Sequence, residues 1–415
     1  MNILVVGGGG REHAICHALS KNAGHKIFCA PGNFGITGSA ERADIDSADF
    51  VGLIGFARQQ GIGLAVIGPD GLLAAGLADA FGEAGIACFG PTANAARIES
   101  SKAFSKDFMR RHGIPTAEYQ VFADTDAALK YVKSAELPVV VKASGLALGK
   151  GVIIAHTREE AEAAVMSMRD FGESGRTIVI ESCLTGREVS VLAFCDGKTI
   201  KPMISAQDHK RAFDGDKGPN TGGMGAFAPS PFYTPEIKAD VEKRIVRPTL
   251  EALNKEGIKF VGVLYFGLML TAEGPKVLEY NARFGDPEAQ AVLPLLKGDL
   301  AEIMLACVEG RLSDIEIEFE DGACAVVILA SGGYPKNYES GYPIYGIDEA
   351  NALPNITVYS AGVSESGGLP VTSGGRVLGV CAKAKDVRSA AAAALKASDL
   401  ITFKDMHRRT DIGVL

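Results

Sequence analysis

Glu279, Asn281 and Arg283 alternate along the stretch KVLEYNARFGDPE, which runs from 276 to 288. Valine, leucine and tyrosine favour extended backbone, and 276–284 reads as a strand. Side chains alternate across a strand, so the three polar residues would share one face within about 14 Å. Leu278, Tyr280, Ala282 and Phe284 would share the other and pack on a core. The polar face offers a carboxylate and an amide oxygen, the donors a hard cation such as Mg2+ takes. Its guanidinium is a planar fork suited to phosphate or carboxylate. Asp286 and Glu288, in the turn that follows, add two acids. The chemistry within reach is metal-assisted handling of phosphates. The plain alternative is a solvated strand face of mixed charge.

The rest of the chain must position these groups. Its 415 residues allow two to four domains, and 47% hydrophobic with 22% charged residues is ordinary for a folded, soluble protein. Lys and Arg total 42 against 50 Asp and Glu, a net charge of −8, which argues against a nucleic-acid partner. Eight cysteines without a C-x-x-C pair suggest neither a zinc site nor a disulfide framework, and fit reduced thiols in a cytoplasm. The opening Met-Asn-Ile-Leu-Val-Val reads as a first strand, not a signal peptide. No apolar run reaches the ~18 residues a membrane span needs.

The first hundred residues read as an open parallel α/β unit. A strand at 3–6, the loop Gly7-Gly8-Gly9-Gly10 and a helix at 11–20 make a phosphate-binding start, with bare N–H groups at a helix N-terminus. It is not a dinucleotide fingerprint, because Glu12 and His13 stand where the third glycine is needed. His13 is a candidate loop ligand; His17 is core or surface. Strands at 26–29, 64–67 and 86–89 end in Gly/Pro turns, where ligands of such sheets bind.

Further on, a helix at 102–112 opens after Ser100-Ser101 with Lys102 in its first turn, a place the helix dipole disfavours for a cation. Strands at 137–142 and 152–155 flank a glycine loop carrying Lys142, Gly145, Gly149, Lys150 and Gly151. This reads as a lid over phosphates. It is not a Walker A loop, since Gly151 replaces the Ser/Thr and a strand follows. A strand at 177–181 leads to Glu181, with Glu188 on the next segment. The stretches 208–211 and 218–225 are glycine-rich without periodicity, and read as a long functional loop. Strands 261–270 and 276–284 read as a hairpin. The last hundred residues form a small α+β unit with a strand at 323–329, a hairpin at 371–381 and a helix at 387–397. There Arg376 and Arg409 are read as surface residues, with contact to a substrate phosphate as the alternative.

Six motifs in order (GGGGREHA, PGN, VKASGLALGKGV, QDHKR, GPNTGGMGA and LEYNARFGDPE) resemble the glycinamide ribonucleotide synthetases, ATP-grasp ligases of purine biosynthesis, nearly end to end. The resemblance implies an N-terminal α/β domain over 1–101, an ATP-grasp domain over 102–312 with a mobile lobe at about 122–190, and a C-terminal α+β domain over 313–415. It implies ATP-dependent joining of glycine to 5-phosphoribosylamine through glycyl phosphate. Lys102 and Lys142 would meet ATP phosphates under the 145–151 loop, with Gly145, Gly149, Lys150 and Gly151 in it. Glu181, Leu184 and Glu188 would hold adenine and ribose. Glu279 and Asn281 would hold Mg2+ or Mn2+, with Arg283 beside the transferred phosphoryl group. Asp208, Lys210, Asn220, Gly222, Gly223, Asp286 and Glu288 would shape the glycine pocket. Gly8, Gly10, Arg11, Glu12, His13 and Asn33 would hold the phosphoribosyl group. No membrane or nucleic-acid partner is implied, and the chain would act as a monomer or weak dimer. Ser144, Leu148, Ser182, Cys183 and Ser360-Ala361-Gly362-Val363 depart from the family's usual residues.

Overall fold

The computed structural model describes residues 1–147 and 151–414. Ile3, Leu4, Val5 and Val6 are all fully buried, because the strand Asn2–Gly7 is the middle of a five-stranded parallel sheet covered on both faces. Its neighbours are Lys26–Pro31 and Ile62–Ile67, with Glu41–Arg42 and Cys88–Phe89 at the edges. The expected strand at 86–89 shortens to its last two residues. The chain leaves Gly7 at the sheet's C-terminal edge and enters the helix Gly10–Ser20.

Two antiparallel sheets follow. The first runs Tyr119–Phe122, Ile178–Ser182, Val139–Ala143, Val152–Ala155 in spatial order. Helices Thr125–Val132 and Arg158–Ser167 share its apolar core through Ala128, Val132, Ala161 and Val165. The second runs Ile200–Pro202, Arg187–Cys195, Gly262–Thr271, Gly274–Asn281. The last two make the expected hairpin, but its register slips between Gly267 and Leu268: Gly267 faces Glu279 whereas Leu268 faces Val277. Such a bulge inserts one residue and breaks the alternation. Val277 therefore turns into the core, fully buried, and Leu278 joins the ligand-facing side. This corrects the expected placement of Leu278 on the core face. The strand also ends at Asn281, so Arg283 lies just past it.

The last sheet is antiparallel, in the order Gln207–Asp208, Gly225–Ala228, Ala323–Ala330, Arg376–Ala384, Ile356–Ser360. Helix Val387–Ser398 packs against its central strands. Two of its five strands thus come from the glycine-rich stretch that reads as a loop in sequence. A further pair, Arg211–Phe213 and Lys217–Asn220, forms a small hairpin between them. These strands are two to four residues long, too short for a period of two to register.

Candidate active site

The first antiparallel sheet, the second antiparallel sheet and the sheet edges of the first and last domains all border one cleft of about 450 Å3. Lys142, Val152 and Glu181 come from the first antiparallel sheet; Tyr265, Leu278, Glu279 and Asn281 from the second. Asp208, Tyr334 and Arg376 reach it from the last-domain side, and Arg11 and Asp70 from the first.

At one end stand three lysines and one carboxylate. Helix Lys102–Arg111 is capped by the Ser101 hydroxyl, which accepts from the Phe104 amide. Lys102 and Lys106 lie one turn apart on that helix. The Lys102 ammonium donates to the Gly145 carbonyl at 3.3 Å, and burial lowers its pKa. Glu181, only 2% exposed at its side chain, lies 2.9 Å from Lys106 through Oε2 and 2.9 Å from Lys142 through Oε1. Burial pulls Lys106 down to about 8, against the opposing pull of Glu181.

The other end is acidic. The Lys210 ammonium donates to Glu188 at 2.8 Å. Burial works against the Lys210 charge, but Glu188 and Asp208 outweigh it and raise its pKa. Glu288 is buried and accepts from the Tyr265 hydroxyl at 2.9 Å and the Ser190 hydroxyl at 3.3 Å. Asp208 has no ion pair among the described residues. Burial, countered by Lys210 and reinforced by Glu288 and Glu188, pushes it up to about 7.

Glu279 and Asn281 lie between the two ends. Burial would raise the Glu279 pKa, but Lys210, Lys102, Lys142 and Arg283 outweigh it and keep the carboxyl below its ordinary range. Glu279 makes no ion pair among the described residues, so an ionised oxygen ligand stands ready beside the Asn281 amide oxygen. Arg283 donates to that amide oxygen at 3.1 Å and pairs with Glu99 at 2.7 Å. Glu99 also accepts from the Ala282 amide at 2.7 Å. This donor set suits a hard divalent cation that keeps most of its shell for phosphate and water. No cluster of three or more His, Cys, Asp or Glu suited to a metal occurs among the described residues.

Arg376 clamps the acidic end. Its Nη1 donates to the carbonyls of Gly222 at 2.6 Å and Asp286 at 2.8 Å. Burial would raise Asp286, but Arg376 and Arg11 hold its carboxyl below the usual range. The Tyr334 hydroxyl accepts from the Gly222 amide at 3.0 Å. Gly223 has φ +111°, and a Cβ there would sit 2.4 Å from Pro287, so glycine is required for this approach. The surface reading of Arg376 is therefore corrected. Arg409 is also not on the surface: its side chain is 1% exposed and pairs with Asp216 and Asp411, away from the cleft.

Of the residues singled out in sequence, Arg11, Lys102, Lys142, Gly151, Glu181, Asp208, Lys210, Gly222, Glu279, Asn281, Arg283, Asp286 and Glu288 border the cleft together. Gly145, Leu184, Glu188, Asn220 and Gly223 do not line it, though Gly145 contacts Lys102 and Glu188 contacts Lys210. Gly149 and Lys150 lie outside the described residues. Glu12, His13 and Asn33 are held by contacts within the protein. Glu12 folds back onto the Gly9 amide at 2.6 Å and Arg11 at 2.7 Å. His13 accepts from the Ser360 amide at 2.8 Å, stacks edge-on against Tyr359, and is pulled down to about 4 by burial. Asn33 donates to the carbonyls of Gly8 and Ser360. A Cβ on Gly8 would sit 2.7 Å from the Gly32 carbonyl, and one on Gly10 would meet Gln290 at 2.6 Å. Sequence reading missed Asp70, Glu99, Lys106, Tyr265 and Tyr334. Two of them left a signal: Lys106, four residues after Lys102, and Asp70, in the Gly/Pro turn that ends the 64–67 strand.

Two antiparallel sheets meeting over lysines, with a carboxylate–amide pair between, is the layout of an ATP-grasp enzyme. Residues 100–289 match the ATP-grasp (A) domain of phosphoribosylglycinamide synthetase, residues 1–99 its N domain and residues 324–415 its C domain. The chain belongs to the phosphoribosylglycinamide synthetase family. A phosphoribosylamine–glycine ligase from Allochromatium vinosum is 47% identical over 100% of this chain and 98% of that protein. The trifunctional purine biosynthetic protein adenosine-3 of Gallus gallus is 48% identical over 99% of this chain, which spans 42% of its length. The crystal structure of a phosphoribosylamine–glycine ligase from Thermotoga maritima aligns with a TM-score of 0.85 at 31% identity, covering 99% of this chain and 100% of that one.

Proposed function

We propose that the cleft works as a charge-sorted ligation site, cationic where a triphosphate lies and acidic where an amino acid's ammonium lies. The chain is an ATP-dependent ligase that joins glycine to 5-phosphoribosylamine in purine biosynthesis. The reaction is two displacements. The glycine carboxylate attacks the γ-phosphorus of ATP, giving glycyl phosphate and ADP. The phosphoribosylamine nitrogen then attacks the acyl carbon, loses a proton and releases phosphate.

The residue roles follow from the charges. Lys102 and Lys142 meet the β- and γ-phosphates, and Leu146, Ala147, Val152 and Leu278 give the purine an apolar wall. Glu181, Leu184 and Glu188 bound the nucleoside, and Gly145, Gly149, Lys150 and Gly151 cover the phosphates. Glu279 and Asn281 would hold Mg2+, or Mn2+, which when bound neutralises charge on the transferring phosphoryl group. Arg283, fixed by Glu99, faces the same group. Asp208, Lys210 and Glu288 receive the glycine ammonium, and Arg11 and Asp286 border the acceptor. Water exclusion by the lid protects the acyl phosphate. Eight free thiols fit a cytoplasmic enzyme, and we extend the reading to a monomer or weak dimer, checked by light scattering.

The opposition of the Lys102–Lys106–Lys142 end to the Asp208–Glu288 end, with Glu279 between, carries this reading. The test is ADP formation by the purified chain with glycine, phosphoribosylamine or both. ADP dependent on glycine, with amide product only when both are present, is expected. ADP release indifferent to glycine would overturn the assignment.

A further inference from the structure

Glu181 raises a difficulty for any role of Lys142 at a phosphate. A lysine held by a buried carboxylate is neutralised, and leaving that carboxylate strands an unpaired charge, which is costly. The structure supplies a second cation. Lys106 sits 2.9 Å from the other oxygen of Glu181, its side chain 2% exposed. It is itself anchored: its ammonium donates to the Thr116 hydroxyl at 2.6 Å, which donates to the Val277 carbonyl at 2.6 Å. Val277 is fully buried and belongs to the strand that carries Glu279.

The two lysines are not held alike. Lys106 has a hydroxyl acceptor besides Glu181. On the Lys142 side, Glu181 Oε1 is buried and has no aligned hydrogen bond among the described residues, despite the 2.9 Å approach. Both contacts with Glu181 are charge contacts at 2.9 Å, and what separates the two lysines is the Thr116 hydroxyl that holds Lys106 in place. Lys142 is therefore the exchangeable partner and Lys106 the fixed one.

We infer that Lys106 is a positioning residue that neutralises Glu181 permanently, so that Lys142 is free to leave the carboxylate for the phosphates of the nucleotide. The inference rests on the proposed contact between Lys142 and ATP phosphates. Lys106 never touches the nucleotide; it acts through Glu181. With Lys106 present the cluster carries one surplus positive charge, and a polyanion collects it through Lys142. Without Lys106, Lys142 and Glu181 form a closed neutral pair, and the phosphates must compete with the carboxylate for the Lys142 ammonium, with Lys102 alone left uncommitted to a carboxylate among the described residues.

The test compares dissociation constants of ATP and adenosine, with Mg2+, by titration calorimetry on the full chain. Adenosine lacks the groups that Lys142 serves, so it reports on the rest of the pocket. Lys106→Met should weaken ATP by about tenfold, one charge-assisted hydrogen bond's worth, and adenosine by less than about twofold. Adding Glu181→Gln to Lys106→Met should restore the ratio of ATP to adenosine affinity, because the competing carboxylate is gone. Equal weakening of ATP and adenosine by Lys106→Met would make Lys106 a fold residue and overturn the inference. A double variant whose ratio stays low would mean that Lys106 serves the phosphates directly, and would overturn it too. Lys142→Met separates the two levels: an unchanged ATP constant there defeats the phosphate role of Lys142 itself. A weakened one beside an unaffected Lys106→Met defeats only the inference about Lys106.

Discussion

The two ends of the cleft use the same residue types in opposite proportion. Around Glu181 three lysines face one carboxylate; around Lys210 three carboxylates, Asp208, Glu188 and Glu288, face one ammonium. The Glu181 cluster is removed from water, so its imbalance is not screened as it would be on a surface, whereas at the other end Glu288 is buried but the Lys210–Glu188 pair is 35% and 43% exposed. A buried imbalance is costly to fold around, and it persists where a ligand of opposite sign completes it. In the proposed reaction this contrast would sort substrates by charge before any contact is specific: a polyanion at one end, an ammonium at the other, and the bond-making atoms where the fields meet at Glu279.

The largest effect is expected at that meeting point. Glu279→Gln keeps the shape and removes the anionic oxygen beside Asn281, so glycine-dependent ADP formation should fall by about 10²-fold to 10³-fold. A coupled ADP assay measures it, and normal turnover at saturating Mg2+ would break the comparison. Next, Asp208→Asn should raise the Michaelis constant for glycine by roughly 10-fold to 100-fold while that for ATP moves little. An equal rise in both would erase the distinction between the ends.

The pH dependence sharpens the same point. Asp208 is pushed up to about 7, so it takes a proton and loses its charge as pH falls through that value. In the wild type kcat/KM for glycine should decline below pH 7, and in Asp208→Asn that limb should vanish from the profile. The folded protein also binds this proton more tightly than the unfolded chain does. The stability from Asp208 is full below its ordinary range and lost as pH rises through about 7. Asp208→Asn should therefore raise the melting temperature at pH 8, where calorimetry can read it, and leave it nearly unchanged at pH 4. The smallest effect is expected at the rim: Arg11→Ala should raise the Michaelis constant for phosphoribosylamine several-fold and leave ATP within about twofold. A larger shift for ATP would move the acceptor to the other end.

How far the site could be read from sequence depended on how locally it is built. Glu279, Asn281, Asp286 and Glu288 come from one strand and its turn, and their spacing carried them into the cleft. Leu278 was misplaced because a bulge opposite Gly267 is set by the partner strand, which a single strand's alternation cannot register. Glu99 closes the preceding helix, Ala93–Ser100, where an acid looks like ordinary helix surface. Tyr334 and Arg376 come from the last domain, and nothing in their neighbours points to Gly222, 112 and 154 residues earlier in the chain. The parallel sheet of the first domain and both hairpin strands of the second sheet were legible, because long apolar runs and turn glycines mark them. The short strands of 207–228 were not.

Those short strands decide what can be cut. Gly225–Ala228 pairs with Ala323–Ala330, and Phe227 is fully buried in the joint. A protein shortened after 312 would not shed a self-contained tail. It would tear a sheet between its second and third members and leave a bare edge, open to pairing with other chains. Grafting a foreign tail in its place would have to reproduce that seam, so what looks like a chain of three cassettes behaves in space as a garment with one shared hem.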